Sequence, residues 1–165
     1  MAGTTQLMRA RQDVPFSCLW RWNWWAVVPL ALAACARGVP WLLTHSPAFG
    51  FALQRGFALV CHQRPDRCFS VFGGSVAVCA RCLGIYVGAA AGLLVRGPRQ
   101  LAARLMLAAL AFNLVDWLAE LAGLHGNWLT ARFCLGIALG MAGAMIVVAR
   151  QTAPLARHDV KAAPV

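Results

Sequence analysis

Four apolar runs, at residues 24–43, 79–95, 101–121 and 128–149, limit this chain to few folds, because each approaches the length that crosses a hydrocarbon core of about 30 Å as a helix. In lipid every backbone N–H and C=O must find a partner inside the protein, so such runs read as helices rather than open strands. The composition agrees: 61% of the residues are hydrophobic and only 12% charged. The expected fold is an all-α integral membrane domain with four transmembrane helices. Residues 48–60 are too few, and too interrupted by Gln54, Arg55 and Gly56, to cross as well. They read as a short interfacial or half-inserted helix. Around this single membrane domain, residues 22–150, lie a basic, loosely ordered N-terminal segment (1–21) and an Ala/Pro-rich disordered tail (151–165). Trp20, Trp22, Trp24 and Trp25 mark the membrane interface at the first helix. Arg9, Arg11, Asp13 and Arg21 precede that helix without a clear cleavage site, so it reads as a retained anchor.

The formal net charge of +10 comes almost wholly from arginines scattered singly at the edges of apolar runs. That pattern suits phospholipid headgroups and membrane topology; a nucleic-acid surface would gather the charge on one soluble face. The partner expected is the lipid bilayer, with a homo-oligomer or an unidentified membrane protein beyond it and no nucleic acid. Four spans put both termini on one side. That side then carries nine basic residues, Arg9, Arg11, Arg21, Arg96, Arg99, Arg104, Arg150, Arg157 and Lys161, against Arg55, Arg64, Arg67, Arg81 and Arg132 on the other. The excess favours cytoplasmic termini and an outward-facing 61–79 segment.

Chemistry concentrates in that segment. Residues 61–82 hold Cys61, His62, Cys68, Cys79 and Cys82, and Pro65, Gly73 and Gly74 supply turns that fold one Cys/His pair back onto the Cys79-x-x-Cys82 hook. This spacing suits a tetrahedral thiolate and imidazole metal site, and equally a dithiol redox centre. The metal ligands expected are Cys61, His62, Cys79 and Cys82, with zinc preferred and the three sulfurs roughly 3.5–4 Å apart. Adjacent Cys61 and His62 do not easily reach one ion, which makes His62 an outer-shell candidate, with His125 or a carboxylate completing the site. Cys18, Cys35 and Cys134 read as apolar fillers.

The run Cys61-His62-Gln63-x-Pro65-x-Arg67-x-Phe69, followed by Cys79-Ala80-Arg81-Cys82-x-Gly84-Ile85-Tyr86-x-Gly88, resembles the signature of the domain-of-unknown-function family 2085, small prokaryotic membrane proteins. Asp116, Asn127, Arg132, Gly136 and Gly140 resemble its second block. The resemblance implies a multi-pass protein of a bacterial or archaeal cell membrane. It supplies no activity. Cys68 stands where the family usually has Ser, and Glu120 where it tends to have Gln.

Gly84, Gly88 and Gly92 on the second helix, with Gly136, Gly140 and Ala144 on the fourth, form two small-residue stripes suited to close parallel packing. Asp116 and Glu120 share one face of the third helix near the depth of Arg81 and Arg132. Buried carboxylates in lipid need cations, so Arg67, Arg81, Asp116, Glu120, Asn127 and Arg132 are expected to form a polar network beneath the thiols. A transporter or accessory subunit is a further alternative, but the inner halves of the second and fourth helices are apolar. Whether the chain is an enzyme stays open at this stage.

Overall fold

A computed structural model describes residues 16–95 and 97–159, with side chains described from Trp25 to Arg150. The described chain is mainly helical: α1 (Phe16–His45), α2 (Pro47–Ala58), a 3-10 turn (Pro65–Arg67), a minimal hairpin of β1 (Ser70–Val71) and β2 (Gly74–Ser75), α3 (Ala80–Leu94), α4 (Arg99–Leu121) and α5 (Leu129–Asp159). The loose order of residues 1–15, the turn residue Arg96, the side chains of Trp20, Trp22 and Trp24, Cys18, and the tail beyond Asp159 lie outside the described residues.

Three described helices are long and apolar enough to cross a membrane: Trp25–His45 within α1, Arg99–Leu121, and Leu129–Arg150 within α5. The expected span at 79–95 is only 15 residues as a helix, about 22 Å of rise. Cys79 and Val95 both adopt extended backbone and so bound it at each end. Two flanking expectations also need correction. Helix α1 already includes Phe16–Arg21, and α5 continues through Asp159, so the segments expected to be loose are partly helical. Ala153, Leu155, Ala156 and Arg157 are good helix formers that extend an established helix without nucleation cost.

Helix α3 occupies the middle of the bundle, packed against α1 on one side and α5 on the other, while α4 packs on α5 and α2 on α1. The α3–α5 contact is the closest. A Cβ placed at Gly84 would collide with the Phe133 carbonyl, at Gly88 with that of Ile137, and at Gly92 with that of Met141. The partners advance in step along both helices, so α3 and α5 run parallel, backbone against backbone. Most large side chains of α4 face outward, among them Leu107, Phe112, Leu114, Val115 and Trp117. Such a face belongs in lipid, where outward apolar side chains cost nothing.

Helix α4 ends in a Schellman turn. Leu124 N–H reaches the Ala119 carbonyl at 2.9 Å and Gly123 N–H that of Glu120 at 3.0 Å, with Gly123 at φ +70°. This reversal returns the chain as α5 and brings Asp116 and Glu120 to the same end of the molecule as Arg132. The buried cluster Ala36, Val39, Phe57, Cys61, Val76, Ala77 and Val78 lies at that end too, where α1, α2 and the 59–79 segment meet.

Candidate functional site

The thiols sit on irregular backbone, so the first question is how its polar groups are paired. Cys61 follows the end of α2, its N–H reaching the Phe57 carbonyl at 3.0 Å. Gln63 then turns the chain at φ +49°, a left-handed conformation uncommon outside glycine, and its side-chain amide donates to the Gln54 carbonyl at 2.7 Å. The hairpin reverses through Phe72 and Gly73, both at positive φ as a tight two-residue turn requires. Beyond it, Ala77 N–H donates to the Ala36 carbonyl of α1 at 3.1 Å. That carbonyl is free because its helical partner would be residue 40, a proline with no N–H. The proline inside α1 therefore creates the acceptor that anchors the thiol segment, about 14 Å below the end of the helix.

From this anchor the chain enters α3 with Cys79 as N-cap and Cys82 in the first turn. The sulfurs of Cys61, Cys79 and Cys82 all lie within 4.8 Å of one another. Cys61 is buried, and its sulfur accepts the Cys79 N–H at 3.2 Å. The Cys79 thiol is lowered to about 5, first by a hydrogen bond from the Cys82 thiol and then, against the opposing effect of burial, by the Cys82 and Arg81 amides and the Cys61 thiol. Exposed amides at a helix start favour a thiolate in this way. Cys68 differs. It is buried, its thiol donates to the Arg64 carbonyl at 3.1 Å, and burial followed by the charge of its neighbours raises it to about 11.

Next to the thiols a polar network joins four parts of the chain. Arg81 Nη2 lies 2.6 Å from Asp116 Oδ2, and Arg132 Nε lies 3.7 Å from the same oxygen. Glu120 takes Arg67 Nη2 at 2.8 Å on one oxygen and Arg132 Nη2 at 2.6 Å on the other. The Arg132 to Glu120 contact is an ion pair without hydrogen-bond alignment, whereas Arg132 Nη1 donates to Asn127 Oδ1 at 2.8 Å. Asn127 in turn donates to Asp66 at 3.1 Å. Burial acts to raise the Asp66 carboxyl, but hydrogen bonds from Asn127 and Arg64, with the Arg64 charge, hold it below the usual range. Arg132 is 3% exposed, and no other charged residue among those described is buried. An arginine so placed needs the carboxylates around it.

With this geometry in view, comparison with known proteins decides the family. A profile described as a predicted membrane protein (DUF2085) matches residues 61–146, just over half the chain, covering the thiols and the network together. The chain belongs to the DUF2085 family. An uncharacterised protein of Methanothermobacter thermautotrophicus is 33% identical over 95 residues, 54% of this chain and 86% of the relative. The uncharacterised protein MJ1492 of Methanocaldococcus jannaschii is 51% identical over 39 residues, 24% of this chain. That match spans only 25% of the relative's length. No solved structure matches.

Set against the DUF2085 signature, the structure brings Cys61, Cys79 and Cys82 together and leaves His62 exposed, outside the sulfur group. The reason is local: adjacent side chains diverge, and Cys61 takes the inward place. His125 is not beside the sulfurs either. Its Nε2 lies 3.8 Å from Asp116 and its ring stacks on Trp128. Cys35 and Cys134 face outward. Arg67, Arg81, Asp116, Glu120, Asn127 and Arg132 lie in one network. Sequence reasoning missed the roles of Asp66, Arg64 and His125 there. A signal existed for Asp66: the chain has five acidic residues against 15 basic ones, and Asp66 stands between Arg64 and Arg67.

Proposed function

We propose that this DUF2085 protein carries a metal-thiolate centre near the membrane surface, with Cys61, Cys79 and Cys82 as ligands and zinc as the preferred ion. The observation that carries the reading is the convergence of three sulfurs within 4.8 Å on backbone anchored to α1. Tetrahedral zinc at about 2.3 Å from each sulfur needs sulfurs roughly 3.8 Å apart, a small contraction of this set. An ionised Cys79 supplies one ligand without a proton having to be displaced at neutral pH. No fourth His, Cys, Asp or Glu among the described residues joins the group, so the fourth position is open to water or an exchangeable ligand. Protein purified under reducing, chelator-free conditions is expected to hold one zinc per chain, lost in Cys79→Ser/Cys82→Ser. Stoichiometric absence of metal from the parent overturns the proposal.

One observation favours a second reading. Cys79 and Cys82 sulfurs within 4.8 Å at a helix start, with the Cys79 thiol lowered, also make the resting arrangement of a dithiol redox pair. Trapping a reversible Cys79–Cys82 disulfide in protein that never holds metal supports that alternative; absence of any such disulfide across a glutathione titration rejects it.

The same reading treats α3 as a short fourth crossing and the termini as cytoplasmic. Its support is the position of α3 between α1 and α5 and the nine-to-five excess of basic residues on the terminal side.

A further inference from the structure

A concavity of about 390 Å³ is walled by the same segments that carry the thiols. Gln63 stands two residues beyond Cys61, Ala77 two before Cys79, and both line it. Pro40, Leu43, Phe72 and Val76 make its apolar walls, and Thr44, Gln54, Gln63 and Ser75 its polar ones. No charged side chain is among its described lining. A phosphate, carboxylate or ammonium group would therefore lose its hydration there without a counter-ion.

The polar groups have unused capacity. The Thr44 hydroxyl is committed to the Trp41 carbonyl at 2.7 Å, and one Gln63 N–H to the Gln54 carbonyl at 2.7 Å. The second Gln63 N–H, its side-chain oxygen, the whole Gln54 side-chain amide and the Ser75 hydroxyl have no protein partner among the described residues. The Gln63 amide is already held by its bond to the Gln54 carbonyl, so less ordering is needed when a ligand binds. Amides and a hydroxyl can donate to carbonyl oxygens or accept from hydroxyl groups, so they suit a ligand that presents either.

Location narrows the class. Pro40, Leu43 and Thr44 belong to the last turns of the Trp25–His45 span, which puts this wall at the end of the membrane crossing. A ligand dissolved in the bilayer can present a polar ring at that level. The volume lies at the lower end of the range for small-molecule sites, about 300–1,000 Å³, enough for a ring system and not for a phospholipid. We infer that this pocket binds an uncharged, membrane-partitioned ring compound bearing carbonyl or hydroxyl oxygens on opposite edges, of the quinone/quinol class. The inference concerns binding alone, goes beyond the metal reading and stands or falls apart from it.

The probe is radiolabelled 2,3-dimethyl-1,4-naphthoquinone, fully substituted so that thiols do not add to its ring, with the full chain in phosphatidylcholine nanodiscs. Saturable binding of one molecule per chain is expected. Gln54→Leu keeps the backbone carbonyl that holds Gln63 and should weaken binding roughly tenfold. Ser75→Trp, at an exposed strand position, should abolish it by filling the space. Absence of a saturable component in the parent, or binding by both variants equal to the parent's, overturns the inference. Should a variant fail to fold, an azido derivative photolysed on the parent decides. Adducts within residues 40–44, 54, 63–65 or 72–77 support the pocket, and adducts confined elsewhere overturn it.

Discussion

Cys79 is the residue on which the proposed chemistry turns, and its ionisation is directly measurable. Its folded value of about 5 lies below the ordinary thiol value, so the thiolate stabilises the fold above the unfolded pKa of about 8.5. That contribution fades as pH falls through about 5. Alkylation of metal-free protein by iodoacetamide, followed residue by residue by mass spectrometry, should show Cys79 reacting with a midpoint near pH 5 and Cys68 unreactive at neutral pH. A midpoint for Cys79 near 8.5 or higher would contradict stabilisation of the thiolate by the Cys82 thiol and the amides of the helix start. Asp116 offers the matching test in the network. Its side chain is 9% exposed between Arg81 and Arg132, and Asp116→Asn should cost about 3–5 kcal/mol by leaving those cations uncompensated. Replacing Asp116 and Arg81 together with apolar residues should recover part of that loss in thermal or denaturant unfolding. An Asp116→Asn protein as stable as the parent would refute the buried-pair premise.

At the scale of elements, the α3–α5 contact and the anchor on α1 decide whether the site exists. Gly88→Ala drives a Cβ into the Ile137 backbone and should destabilise by about 1–3 kcal/mol, whereas Gly56→Ala in α2 meets nothing within 4 Å and should gain about 0.5–1 kcal/mol. Unfolding midpoints in one detergent compare the two; equal effects would mean that the helices do not meet at Gly88. These glycines were legible in the sequence, because spacing by four residues is periodic and local. The long apolar runs were legible for the same reason. What was not legible was the length of α3, whose ends depend on extended backbone at Cys79 and Val95 rather than on composition. Nor was the link between Pro40 and Ala77, where a missing N–H in one helix is answered by an amide far along the chain. His62, expected as a ligand or as an outer-shell partner, lies exposed because backbone geometry gives the inward position to Cys61 alone. The third thiol's approach to the CxxC hook was readable from the turn residues between them.

For the molecule as a whole, the thiols, the network and α2 gather at one end and both described chain ends lie at the other. The proposed topology has the site outside and the termini inside. Membrane-impermeant maleimide applied to intact cells should label a cysteine placed at the exposed position Gly73 and not one appended after Val165; the reverse pattern would invert the topology and put the thiols in a reducing compartment. The membrane character itself rests on family membership and on three long apolar helices among the described residues. The central claim, that three cysteines converge to hold one ion, is tested most directly by X-ray absorption at the zinc edge on protein as purified. The account predicts three sulfur scatterers at about 2.3 Å, falling to two in Cys61→Ser. A shell made only of nitrogen and oxygen, or one unchanged by Cys61→Ser, would contradict it.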